Sequence, residues 1–533
     1  MTGGDQAHGQ TPAPTVLDQP TLDLAVTGGT IRGRTGDDDV ARFLGIPYAA
    51  PPFGPHRLLP PAPVEPWEGV REAFEYGPTV PKIGYDEAFQ RILREVEIPG
   101  TECLNLNVWA PAGAVQGSGE GDGAGASGAG AALPVFVWIH GGAFLNGSGA
   151  IPTYDGTAFA RDGVVTVTLN YRLGSEGFLY TPDAAAHGSA NLGLQDQVAA
   201  LRWVQENIAA FGGDPERVTI GGESAGAMSV ATLLAMPSAQ GLFAQAITES
   251  GAASHTLDPA EALKAGELFA RHLGTDFTQP AIAGSEVADA VVATGRTVLE
   301  IRGEQDPGVW GKLGLGSMPF APVVDGTVVP SHPLDAYAAG ASAEVPVLSG
   351  YNLQEYRFFM VAPGMIEHIR DEHVEPGSAK FGLGPAGVQA YRETFPEGTP
   401  GDVYAQIVGD WFFTLPAVRM SEARHRAGAT SWHYRFDVPD PAENNGFGAA
   451  HAVEIPFVFK THRRPGTEAF LGADPSDAVA DNTHDIWVRF ITTGEPGWEP
   501  YSPATRTTAL LTDTTTPVED PHARLRTLWD GVR

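Results

Sequence analysis

From residue 164 to residue 248 short β-branched runs alternate with apolar segments at helical spacing. Val164–Tyr171 is predicted as strand, Leu194–Phe211 as helix, Val218–Gly221 as strand, Ser224–Met236 as helix and Phe243–Thr248 as strand. Successive strands with a helix between them run parallel and place their crossovers on the sheet faces, so the pattern predicts an α/β protein with a central, mostly parallel sheet. Further strands are predicted at Leu104–Trp109, Leu133–Ile139, Val345–Leu348 and Ser431–Phe436, with a hairpin over Leu22–Arg34. Residues 255–315 lean towards helix and loop. Ile486, Trp487, Phe490 and Ile491 share one face of a late helix that Gly494 and Pro496 stop. The stretch 45–67 is too rich in proline for helix or inner strand and reads as ordered, irregular surface. No internal repeat is evident.

Residues 1–21 read as a disordered leader, and 22–533 as one domain carrying a flexible Gly/Ala/Ser-rich insertion at 113–132. The start of the chain shows neither a basic region nor an apolar one, which makes the cytoplasm the expected compartment, with a secreted mature form as the alternative. Hydrophobic residues make up 42% of the chain, yet no apolar run approaches the roughly 20 residues of a membrane helix. Lysine and arginine number 33 against 64 aspartates and glutamates, a net charge of −31. Such an excess repels nucleic acid and anionic membrane surfaces, and neither is an expected partner. Cys103 is the only cysteine, so an intrachain disulfide and a cysteine-based metal or redox motif are excluded.

One turn in the alternating region carries chemistry. Gly222-Glu223-Ser224-Ala225-Gly226 lies between a predicted strand and a predicted helix, where a serine on a sharp turn can present its hydroxyl above the sheet as a nucleophile. With 66 glycines in 533 residues, the pentapeptide alone is weak evidence; a surface turn would match it too. A serine hydroxyl also needs a base, a group to orient that base, and donors for the oxyanion. The donors have candidates: the strand Leu133–Ile139 runs into His140-Gly141-Gly142, and the backbone N–H groups of Gly141 and Gly142 together with that of Ala225 could form a three-donor hole.

Several longer segments accompany this pair of motifs. They are Phe43-Leu44-Gly45-Ile46-Pro47-Tyr48-Ala49, Glu102-Cys103-Leu104-Asn105-Leu106-Asn107-Val108, Asn170-Tyr171-Arg172-Leu173-Gly174, Gly177-Phe178-Leu179, Asn191-Leu192-Gly193-Leu194-Gln195-Asp196-Gln197 and Phe211-Gly212-Gly213-Asp214-Pro215. Together they make the chain resemble a type-B carboxylesterase, the cholinesterase and p-nitrobenzyl-esterase branch of the α/β-hydrolases, from about residue 24 to about residue 498. The resemblance implies the α/β-hydrolase fold and a serine carboxylic-ester hydrolase working through an acyl-enzyme. It also implies the order Ser, acid, His. Gly448-Ala449-Ala450-His451, followed by Glu454-Ile455-Pro456-Phe457, is similar to the family's histidine segment, which makes His451 the implied base. Ser349 to Glu355 is similar to the segment carrying the acid, which makes Glu355 the implied orienting group. Here the chain departs from the family pattern: Tyr356 stands where glycine is usual and Gln354 where an acid is common. Two supporting serines are weaker candidates. Ser229 resembles a family serine that bonds near the acid and base, or bonds its own helix backbone; Ser250 sits at the same sheet edge, or caps a helix.

Aromatic residues cluster beside these segments: Phe144, Phe320, Tyr356 with Phe358 and Phe359, and Trp411-Phe412-Phe413. Core packing accounts for any one of them. Collectively they suggest an apolar gorge for uncharged aryl or short-to-medium-chain esters, with Phe144, Phe320, Tyr356, Phe359 and Trp411 as candidate pocket residues. A small-molecule ester is the expected partner, no cofactor is expected, and monomer and homodimer are both open. Three rivals stand beside this reading: a carbamate, aryl-amide or phthalate-diester hydrolase on the same residues, a non-catalytic cholinesterase-like binding protein, and a metallohydrolase. For the last, Glu367-His368 with Glu372-His373 lacks the His-x-x-x-His spacing that puts two ligands on one helix face, so no metal is expected.

Overall fold

The computed structural model describes residues 19–115, 132–304, 306–316 and 318–532. Its strands are β1 (Thr21–Val26), β2 (Gly29–Thr35), β3 (Val40–Pro47), β4 (Val70–Glu72), β5 (Asn105–Pro111), β6 (Leu133–Ile139), β7 (Val165–Leu169), β8 (Gly213–Glu223), β9 (Gln245–Glu249), β10 (Val347–Asn352), β11 (Ser431–Phe436), β12 (Thr507–Leu511) and β13 (Thr515–Glu519). They form one sheet in the order β1-β2-β3-β5-β7-β6-β8-β9-β10-β11-β12-β13, with β4 against β2. Neighbours from β7 to β12 in that order are parallel, whereas the β1–β2, β2–β3, β3–β5, β5–β7 and β12–β13 pairs are antiparallel. The expected mostly parallel α/β sheet is thus present.

The inner strands read as unbroken apolar runs because both of their faces are covered. In β6, Val135, Val137 and Ile139 join one hydrophobic cluster while Phe136 and Trp138 join another. The first cluster takes in Leu194 and Leu201 of the helix Leu192–Asn207 and Val230 of the helix Ala225–Leu233. The second takes in Ile486, Trp487 and Phe490 of the helix Asp477–Thr493. Parallel register then aligns the carboxyl ends of four strands: Ile139 pairs with Gly222, Glu223 with Glu249, and Glu249 is followed by Ser250, whose N–H donates to the Gly350 carbonyl.

Several expectations shift in detail. Thr21 belongs to β1, so the ordered chain begins before residue 22; residues 1–18 of the expected leader, and 116–131 of the expected insertion, lie outside the described residues. The proline-rich 45–67 segment begins inside β3. β10 runs on to Asn352, through residues expected to follow it. The hairpin β12–β13 is missed by hydrophobic patterning, because both strands are short and threonine-rich and β13, at the sheet edge, buries little. Cys103 is fully buried, and burial pushes its thiol up to about 12. Among the described residues no helix is long and apolar enough to cross a membrane.

Candidate active site

Ser224 closes β8 and opens the helix Ala225–Leu233 with φ 55° and ψ −123°, a backbone region that costs a non-glycine residue about 1–3 kcal/mol and persists only where its surroundings enforce it. The enforcement is visible. The Ser224 N–H donates to the Glu249 carbonyl at 2.9 Å, and the Ser224 carbonyl accepts from Met228 N–H at 2.9 Å. The flanking glycines let the helix cross close to β6: a Cβ on Gly226 would fall 1.9 Å from the Ile139 oxygen, and one on Gly222 would fall 2.6 Å from it. Ser224 itself stays half-buried, within reach of a ligand.

Where β6 ends, His140 is buried and its imidazole is pushed down to about 3 by desolvation, so it is neutral. Its ring stacks on Tyr171 at 4.5 Å, and Nδ1 contacts the Gly141 carbonyl at 2.8 Å. The next turn has φ 114° at Gly142 and positive φ at Ala143 and Phe144. Gly141 lies beside the serine, since a Cβ on it would sit 3.2 Å from the Ser224 Cβ. Among the described residues, no hydrogen-bond acceptor is assigned to the N–H groups of Gly141, Gly142 or Ala225.

His451 and Glu355 are brought together. The imidazole Nδ1 lies 2.8 Å from Glu355 Oε2, and the His451 N–H donates to the Glu355 carbonyl at 3.1 Å. The other carboxylate oxygen, Oε1, accepts from the Asn352 N–H at 2.8 Å. Both side chains are buried. The departure at Gln354 has a role in this packing: its N–H donates to the Ala449 carbonyl at 2.9 Å and its Oε1 accepts from the Ala449 N–H at 3.1 Å, which anchors the histidine's segment. Tyr356, the other departure, is half-buried with its ring 5.1 Å from that of Phe359.

The sequence reading did not foresee Glu223 as a partner of the histidine. Its Oε1 is 3.1 Å from His451 Nε2, and among the described residues no hydrogen bond joins Ser224 Oγ to that nitrogen. Glu223 belongs to a buried group with Glu249 and Glu454. Glu249 accepts from Trp487 Nε1 at 2.8 Å, and Glu454 accepts from the Asn352 amide. Burial, then the neighbouring carboxyls, push Glu223 and Glu249 well above the ordinary range and Glu454 up to about 8. At neutral pH these groups favour the neutral acid.

That arrangement makes stability depend on pH. Glu249 binds its proton more tightly folded than unfolded, so its contribution is fully present below the ordinary value of 4.5 and is lost as pH rises towards the folded value. Glu249→Gln keeps an oxygen for Trp487 and cannot ionise. Its melting temperature relative to the unsubstituted enzyme is therefore expected to climb steadily from pH 5 to pH 9; a flat difference across a fluorimetric pH series would show that Glu249 is ionised in the fold.

The remaining candidates divide. Ser229 is buried and its hydroxyl accepts from Gln197 Nε2 at 3.1 Å; among the described residues no hydrogen bond joins it to His451, to Glu355 or to its own helix backbone. Ser250 is buried, faces the Glu454 carboxyl, and caps no helix, the next one starting at Pro259. Phe359 flanks the histidine with ring centroids 5.2 Å apart, and Phe413 comes closer still at 4.4 Å. Phe413 owes that position to a π-helical turn, Asp410–Thr414, a distortion that often accompanies functional sites. Phe144 packs on Phe178, Phe320 on Phe269 and Trp411 on Phe381 and Phe412, and all three rings are buried. His368 and His373 each spend Nδ1 on a backbone group of their own exposed segment. Among the described residues no group of three or more His, Cys, Asp or Glu could hold a metal ion.

Residues 18–525 match the sequence profile of the carboxylesterase family. The chain is similar to para-nitrobenzyl esterase of Bacillus subtilis (strain 168), at 36% identity over 509 residues that cover 93% of this chain and 96% of that one. Phenmedipham hydrolase of Pseudarthrobacter oxydans is 35% identical over 487 residues, covering 89% of this chain and 91% of that protein. Among solved structures, a Geobacillus stearothermophilus carboxylesterase superposes with a TM-score of 0.79 at 34% identity, covering 95% of this chain and 100% of that chain.

Proposed function

Because the chain belongs to the carboxylesterase family and is a carboxylic ester hydrolase, we propose that it works through an acyl-enzyme on Ser224, with His451 as base, Glu355 as orienting acid, and Gly141, Gly142 and Ala225 as oxyanion donors. The observation that carries this reading is the buried 2.8 Å contact between His451 Nδ1 and Glu355 Oε2, on the same sheet edge as a serine held at φ 55°. With Nδ1–H directed at Glu355, the lone pair of the imidazole is on Nε2, the nitrogen a serine proton requires. An ionised Glu223 beside Nε2 would favour a permanent imidazolium, which takes no proton. Its burial among other carboxyls keeps it neutral, so the base remains usable once the Glu223 contact opens towards Ser224.

In the forward reaction the serine oxygen bonds to the ester carbon as its proton passes to Nε2. The carbonyl oxygen becomes an oxyanion at the three N–H groups. Collapse expels the alkoxide, which leaves with the proton from Nε2, and water then repeats the sequence to release the acid and free the serine. Each donor of such a hole contributes about 2.7–4 kcal/mol to the transition state. Phe359 and Phe413 beside the histidine favour uncharged, apolar ester groups, aryl or of short to medium chain.

A panel decides the substrate class: initial rates on p-nitrophenyl esters of graded acyl length, a carbamate, a phthalate diester and phenmedipham, with Ser224→Ala as control. Simple apolar esters are expected to lead. A carbamate or phenmedipham turned over faster than every ester would replace the substrate class while leaving the chemistry in place.

A further inference from the structure

The reaction scheme makes no use of a buried ion pair, Lys82 with Glu95. Lys82 Nζ lies 2.9 Å from Glu95 Oε1, with the side chains 2% and 7% exposed. Beyond this ionic contact, the Lys82 ammonium donates hydrogen bonds to the Val96 carbonyl (2.8 Å) and to the Gly147 carbonyl (3.2 Å). The second Glu95 oxygen accepts from the Gly147 N–H at 3.3 Å. Both polar groups of one backbone residue are therefore held by the two members of one pair.

Gly147 ends the turn that begins at Gly141. Its φ is 95°, and a Cβ on it would fall 2.5 Å from the Gly141 oxygen, so it rests directly on that peptide. Between them the Gly142 carbonyl accepts from the N–H groups of Leu145 and Asn146, both at 2.9 Å, which makes residues 142–147 a closed unit. From the segment between the two ionic residues, the Tyr85 hydroxyl comes within 3.1 Å of where a Gly142 Cβ would be. A buried ion pair adds little net stability over an apolar pair of the same size. A grip on both ends of a peptide residue, in contrast, fixes direction.

We propose that Lys82 and Glu95 are positioning residues for the oxyanion donors: by clamping Gly147 they set the direction in which the N–H groups of Gly141 and Gly142 face Ser224. The inference rests on the oxyanion reading given under the proposed function. The two residues touch no reacting atom and act through the loop.

Removing one partner strands a buried charge and endangers the fold, so the test uses Lys82→Met/Glu95→Met. Three quantities are read on the purified enzyme: melting temperature, kcat and KM for p-nitrophenyl acetate, and the inhibition constant of an aryl trifluoromethyl ketone, whose serine adduct places an anionic oxygen in the hole. Misdirected donors are expected to lower kcat about 10- to 100-fold, to weaken the ketone by the same factor, and to leave KM within about twofold and the melting temperature near that of the unsubstituted enzyme. A folded variant with unchanged kcat and unchanged ketone affinity overturns the inference. So does a parallel loss of kcat, KM and melting temperature with the ratio of ketone affinity to KM preserved, which describes a structural pair only. If the double variant does not fold, Lys82→Leu/Glu95→Gln, which also removes both charges together and keeps a polar group beside the Gly147 amide, is measured against the same outcomes. Failure of the ketone to inhibit the unsubstituted enzyme would sink the oxyanion reading itself, a result distinct from either.

Discussion

Ser224→Ala is expected to leave a folded protein whose ester turnover has fallen by about 10⁴- to 10⁶-fold, the range in which loss of the nucleophile from a cooperating set of groups lies. The fold should survive because alanine keeps the Cβ, the N–H bonded to Glu249 and the carbonyl bonded to Met228. The deleted Oγ makes no capping bond to the helix it opens, so a stability change within about 0.5 kcal/mol is anticipated. Residual rate over water would come from the donors and the bound geometry. Two measurements check this: kcat/KM on a p-nitrophenyl ester, and stoichiometric labelling by an organophosphate, followed by mass spectrometry of the peptide spanning 213–233. Unchanged turnover in the variant, or a label on another residue, would remove Ser224 from the mechanism.

Glu355→Gln is expected to cost about 10⁴-fold in kcat with the fold retained, by analogy with triads in which the acid becomes an amide. Glutamine has the same size, and its carbonyl can still accept from the Asn352 N–H, the bond now made by Oε1. What changes is the face towards the imidazole. An amide N–H there requires a lone pair on Nδ1, which moves the ring proton to Nε2 and leaves no acceptor for the serine proton. The pH profile separates this from mere misfolding, since a wrong tautomer lowers the plateau while circular dichroism and melting temperature hold. A near-normal rate would transfer the orienting role to another carboxyl of the same buried group; Glu454→Gln, which alters the neighbour that Asn352 contacts, is the comparison.

The parts of this site that could be read in advance are those where local backbone and chemistry coincide. A β-branched strand, a small-residue turn and an apolar helix mark Ser224 as a candidate elbow from local sequence, although a surface turn would match the pentapeptide too. His451 and Glu355 needed the family resemblance, because nothing in the residues near either one says that a chain segment 96 positions away will meet it. The glutamate group was hidden for a related reason: Glu223, Glu249 and Glu454 look like solvated acids in an acidic chain, and only the parallel register of β8 and β9, with the turn before Ile455–Val458, buries them together. Lys82 and Glu95 lie in irregular segments where neither period nor propensity gives a signal. The pocket rings pose a different difficulty. Phe144, Phe320 and Trp411 are large apolar side chains, and sequence cannot tell a ring that faces a substrate from one that fills the core beside it.

The buried cysteine has a practical consequence. With its thiol fully covered, Cys103 holds its proton up to about 12 and offers almost no thiolate to an electrophile in neutral buffer. The folded chain behaves as if it were thiol-free, and Cys103 is its only cysteine. A fluorophore, a spin label or a solid support can therefore be coupled at one chosen surface position through a single introduced cysteine, without first removing the native one and disturbing the packing around it.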